Sequence, residues 1–206
     1  MRRGRTDRAH LVRARRLGVA AAGACALALL GGAARVGAQA ELPSGAIVVR
    51  DPVDTAAGFD LTRVQLGRAA DGRLRAALTL AAAWRMQDLP AEDGPPGSLC
   101  LRMWTETAGQ AAPPDRLLCI TADKGGRHLR GSIMAERNGA LERVAEATLA
   151  RTSARTVTAR FSQSAIGRPA SVRFAAEATT PGCARTTCID TAPNAPAVAT
   201  LTLRAS

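Results

Sequence analysis

Two short acidic stretches hold the residues of this 206-residue chain best suited to chemistry. The first, DPVDTAAGFD, sets Asp51, Asp54 and Asp60 in one loop; the second, CIDTAPN, sets Asp190 and Asn194 in another. Hard oxygen donors of this kind suit Ca2+, which takes roughly six to eight of them at flexible geometry. Asp and Asn are also ordinary turn residues, because their side chains bond nearby backbone. The first and last strands of a β-sandwich are often neighbours. No cofactor is expected unless the strands beside these stretches meet in that way, when the converging loops would offer a calcium site. Otherwise the residues are turns and nothing more.

Other chemistries have less to build on. Beyond residue 40 the one histidine is His128, in the turn-like KGGRHLR. A Ser-His-Asp relay needs a histidine held between two partners, and there is no G-x-S-x-G elbow, P-loop or G-x-G-x-x-G. Glu92, Asp93, Glu136 and Glu146 are the carboxylates left for a glycosidase-type pair, but nothing in their spacing brings two of them together. The chain therefore reads as non-enzymatic, with a carboxylate-dependent hydrolase as the third reading. Aromatics are few: Tyr is absent, and Trp84 and Phe174 fall on apolar strand faces. Trp104 shares its face with Cys100 and Arg102, which makes it the single aromatic candidate for a ligand-facing surface.

The elements that position these residues depend on where the chain folds. Residues 1–16 carry seven arginines against Asp7; an apolar run from Leu17 to Ala34 follows, then Ala38-Gln39-Ala40. A basic region, an apolar region and small residues at the cut describe a secretory signal peptide over 1–40. One domain is then expected over 41–206. Sec export is the expected route; Arg15-Arg16 keeps the twin-arginine route open, and a retained anchor is the other alternative. The expected location is extracellular, cell-surface or periplasmic, with no stable membrane span after cleavage. Of the formal +11, the eight arginines and single aspartate of residues 1–40 account for seven, leaving +4. That remainder is spread singly among acids without aromatic platforms, so nucleic acid is excluded as a partner.

Cys25 lies inside the apolar leader; four cysteines remain, Cys100, Cys119, Cys183 and Cys188. In an exported chain an even set reads as disulfides. Zinc would need closer spacings or more histidine. SLCLRMWTETAGQAAPPDRLLCIT reads as a hairpin that sets Cys100 opposite Cys119 and Met103 opposite Arg116, with Thr105 to Pro114 as its loop. Facing cysteines on adjacent strands meet the geometry a disulfide requires. Cys183 then pairs with Cys188. Chain entropy puts the two bridges at about 3 and roughly 2 kcal/mol.

Period-2 alternation supplies the strands. Expected strands are 46–50, 61–67, 74–84, 129–136, 141–149, 156–161, 172–178 and 198–204, beside the two of the hairpin. Residues 141–149 also fit a helical face, but Asn138-Gly139 before them is a hairpin turn signal. About ten short strands with turns every eight to twelve residues predict an all-β, antiparallel, two-sheet, jelly-roll-like sandwich.

Asp51-Pro52 with Asp54, then Asp60-Leu61 with Val64, Asp71 to Leu74, and Asp190 with Ala192-Pro193 resemble a class of secreted bacterial β-sandwich domains. That class is related in pattern to DOMON-type and family-nine carbohydrate-binding-type modules. The resemblance implies a sandwich, sometimes with calcium, and a binding or accessory role with an envelope or extracellular glycan as partner. The chain departs from it in lacking both a Met/His haem pair and the paired tryptophans of a sugar clamp. The resulting expectation is an exported non-catalytic binding or accessory module; a purely structural envelope domain is the alternative.

Overall fold

The computed structural model describes residues 45–56, 58–105, 113–137 and 139–203. The leader with Cys25, Asn138 of the turn, most of the 105–114 loop and Arg204 lie outside the described residues. Alternating apolar side chains fold into eleven antiparallel strands. These are β1 (Ile47–Arg50), β2 (Leu61–Arg68), β3 (Leu74–Leu80), β4 (Ser98–Trp104), β5 (Arg116–Ala122) and β6 (Leu129–Arg137), followed by β7 (Ala140–Arg151), β8 (Thr156–Phe161), β9 (Ser171–Thr179), β10 (Ile189–Ala192) and β11 (Ala199–Thr202). The all-β antiparallel class is as the sequence predicts. The hydrogen-bonded order runs β1-β2-β3-β8-β7-β6-β5-β4-β9-β10, with β11 beside β10 on the same edge of β9.

One strand joins the two layers. Residues Ala140 to Ala147 of β7 pair with β6, while Thr148 to Arg151 pair with β8. A bulge opposite Ile133 and Met134 precedes the change of partner. Bulges bend and twist a strand, which is how one strand serves two sheets. The helical alternative for 141–149 fails because this segment has an apolar stripe too thin to bury; nearly all of Ala140 to Val144 is exposed.

Inward side chains from both layers form one core, including Leu61, Leu78, Leu101, Ile120, Val157 and Phe174. Cys100 stands opposite Cys119 and Met103 opposite Arg116, the register expected from the sequence. Both bridges are formed, Cys100–Cys119 across neighbouring strands with Cα atoms 4.1 Å apart and Cys183–Cys188 across 6.0 Å. The second closes the loop between β9 and β10.

Two expectations need correction. Strand β3 stops at Leu80, short of Trp84. Three alanines in a row offer little to a pleated surface. The backbone there bonds outside the ladder, Ala81 N–H to Asp60 O (2.8 Å) and Trp84 N–H to Ala154 O (3.2 Å). Trp84 still reaches the core, 2 % exposed. Strand β10 was not expected at all, because IDTA is too short and polar to show a period.

A tight contact fixes the β5–β6 turn. Asp123 Oδ1 accepts from the backbone N–H groups of Arg127 (2.7 Å) and His128 (3.3 Å), and His128 itself is an exposed turn residue. Gly126 sits at φ +61°, where an added Cβ would lie 2.6 Å from Gln87 Cα. Gly126→Ala is expected to cost about 2 kcal/mol, combining left-handed strain with displaced backbone. Gly139→Ala, at φ +79° with open space around it, should cost about 1 kcal/mol. Urea midpoints of the two variants test the difference.

Candidate metal centre and the groove beside it

The acidic corner is assembled from three segments. Phe59, buried edge-on against Trp84 with ring centroids 6.4 Å apart, anchors the chain just before β2. This holds Asp60 in the interior, 3 % exposed. Asp60 Oδ2 accepts from the backbone N–H groups of Asp54 (3.2 Å) and Thr55 (2.9 Å), so the loop after β1 curls around it. Asp190, on β10 and 5 % exposed, accepts from Leu61 N–H through Oδ2 at 2.6 Å. That bond caps an amide on the edge of β2 just beyond the reach of β1. Asn194 then donates its side-chain amide to Asp54 Oδ2 at 2.8 Å.

Carboxylate oxygens of Asp51, Asp54 and Asp190 lie within 4.8 Å of one another. Asp51 Oδ2 and Asp60 Oδ1 are shut off from solvent and make no hydrogen bond. At an effective dielectric near 20, two charges at this separation repel by roughly 3 kcal/mol. The hydrogen bonds to Asp54 from Asn194 and to Asp190 from Leu61 return about 1 kcal/mol each, and Asp51 Oδ2 receives none. Repulsion therefore wins, and protons answer it. Burial, with the charges of Asp190, Asp54 and Asp60, pushes the Asp51 carboxyl up to about 6. Burial also raises Asp190, against the pull of its bonds from the Leu61 and Thr191 amides, with Asp60 and Asp54 adding to the rise.

All five residues named from the two acidic stretches thus meet, although β1 and β11 are not hydrogen-bonded partners. β10, lying against β2, brings the stretches together. Asn194 presents its amide nitrogen to Asp54 and so tethers the corner. Of the glycosidase carboxylates, Glu146 is engaged by Arg143 at 3.2 Å and Glu136 lies exposed on β6.

The chain between β10 and β11 serves a second purpose. With cis peptide bonds at Pro193 and Pro196, it forms one wall of a groove of about 340 Å³. The opposite wall is the outer face of β4 and β9. Its described lining includes Arg102, Trp104, Ala175, Pro193, Pro196 and Val198. Trp104 faces outward as expected, but at 7 % exposure it is a groove wall and not an open stacking platform. The Arg102 guanidinium lies 5.6 Å from its ring centroid and 3.3 Å from Glu177. This groove was not legible in the sequence, because only the β9–β10–β11 arrangement creates it.

The chain matches no protein-family model, no curated protein and no solved structure. Among the described residues no helix is long and apolar enough to cross a membrane.

Proposed function

We propose that this protein is an exported, non-catalytic binding or accessory module whose β10 corner is held by a calcium ion. The observation that carries the reading is Asp60: a side chain 3 % exposed, with an unpartnered buried oxygen, beside three converging carboxylates. Asp51, Asp54, Asp60 and Asp190 would supply the hard oxygen donors, and water the remainder. A divalent cation turns the mutual repulsion of these groups into attraction. Two formed disulfides support an oxidising compartment, and with it the signal-peptide reading of residues 1–40. An envelope or extracellular glycan is the partner class that the resemblance to secreted sandwich modules suggests.

Calcium titration of the metal-free protein is the direct test. At about a hundredfold excess over Kd, binding adds about 2.7 kcal/mol of stability, so the melting temperature should rise by several degrees. Asp190→Asn should abolish most of that rise. An unchanged melting temperature at millimolar calcium would remove the reading.

The raised Asp51 carboxyl also favours a second reading, because a group titrating near neutrality beside another carboxylate suits general acid–base chemistry. The two readings make opposite demands on one proton. Calcium requires Asp51 ionised, whereas an acid catalyst requires it protonated, so calcium would inhibit a hydrolase at this corner.

A further inference from the structure

The groove mixes apolar and polar wall in about equal measure, with an aromatic side chain and a charged group among its lining, and small-molecule sites are clefts in which a few polar groups fix orientation. Pro193, Pro196, Val198 and Ala175 provide compact apolar surface, and Trp104 lines the groove beside them. The charged group is Arg102. Its contacts are one hydrogen bond to Glu177 and its position over the Trp104 ring. A guanidinium carries five N–H donors in a planar fork, so Arg102 keeps most of them for something else. Glu177, 28 % exposed and 3.3 Å away, is a loose partner. The Thr191 hydroxyl at the groove is turned to its own loop, accepting from Ala195 N–H at 3.3 Å.

We propose that the groove between the outer face of β4–β9 and the 193–198 loop binds a small carboxylate with a flat, apolar body, anchored at Arg102. The anion takes the guanidinium fork, and the apolar body lies along the two prolines and Val198, with Trp104 beside Arg102 as the reporter of binding. The inference rests on the binding-module reading and supplies its ligand class. The loop that walls the groove is also tethered to the acidic corner through Asn194. Calcium at the corner would therefore order one wall and favour binding.

Benzoate is the probe, with benzamide as its neutral counterpart. Trp84 and Trp104 are the only tryptophans in the chain, so Trp84→Phe leaves Trp104 as the sole indole reporter. Benzoate should change its emission saturably, with an apparent Kd near 1 mM or tighter, as expected for so few atoms. Should that variant fold poorly, calorimetric titration of the wild-type protein reads the same event. Benzamide should bind at least tenfold more weakly. Arg102→Gln should weaken benzoate about tenfold, while Glu177→Gln, which releases the guanidinium, should tighten it about threefold; a charge-assisted pair has this sensitivity. A merely structural Arg102 would not give that opposite response. No saturable benzoate binding, equal binding of benzamide, or an unchanged Arg102→Gln variant would overturn the proposal. A calcium-dependent rise in melting temperature without benzoate binding would reject the groove alone. Loss of both responses would reject the binding-module reading as well.

Discussion

Trp84→Ala is expected to remove about 3–5 kcal/mol of stability, a large share of what a domain of this size possesses. Trp84 closes one end of the core at 2 % exposure, with Phe59 edge-on against it. Arg151 covers its other side at 4.9 Å from the ring centroid and donates to the Trp84 and Ala154 carbonyls. Truncation leaves a cavity and uncovers the guanidinium. Trp84→Phe should behave very differently. The indole Nε1 is buried without a hydrogen-bond partner, so phenylalanine removes an orphaned donor along with some apolar area. The two changes oppose each other, and the net cost should stay under about 1.5 kcal/mol. Denaturant midpoints at unchanged slope will show it. Equal damage from both substitutions would mean that the indole nitrogen has a partner after all. Trp84→Ala should also blunt the calcium response, because Phe59 positions Asp60.

The second large effect concerns pH. In calcium-free buffer, stability should decline as pH rises from about 4 to above 6. Asp51 has an ordinary value of 3.8 and a folded value of about 6. Between these values the folded protein holds a proton that the unfolded chain has released. Stability therefore falls with rising pH through that window, and the full loss stands above it. Two pH units correspond to nearly 3 kcal/mol; partial exposure of Asp51 reduces its share to about 2. Asp190 is displaced in the same direction and adds to the loss. Melting curves across this range are the measurement. Asp51→Asn should flatten the profile and raise the neutral melting temperature of the calcium-free protein. Calcium should flatten it in the wild type. A profile that climbs steadily to neutrality would contradict the repulsion argument.

Local patterns were readable where one segment decides its own fate. Cys100 and Cys119 face each other because the alternation of SLCLRMW and RLLCITA, separated by a Gly/Pro loop, permits few registers. The same holds for Thr156–Phe161, which forms strand β8 with the expected bounds. The acidic residues were readable as donors, but their meeting depended on β10, whose four residues carry no periodic signal. Trp104 shows the same limit from the other side. Its outward direction follows from strand parity, yet the groove it lines is completed by Pro193 and Pro196, distant in sequence and set between β10 and β11 on the far edge of β9. Asn194 could be read as polar but not as a tether, because its partner Asp54 lies 140 residues away.

The two layers meet unequally at their two sides. On one side β7 is a spine, a continuous strand shared by both sheets. On the other, Asp190 fastens β10 to the Leu61 amide and Asn194 holds Asp54, a two-point clasp. Such a molecule should breathe as a book opens, from the clasp and never from the spine. Deuterium should thus enter at the Leu61 amide well before those of the β7–β8 ladder, and calcium should slow that exchange first.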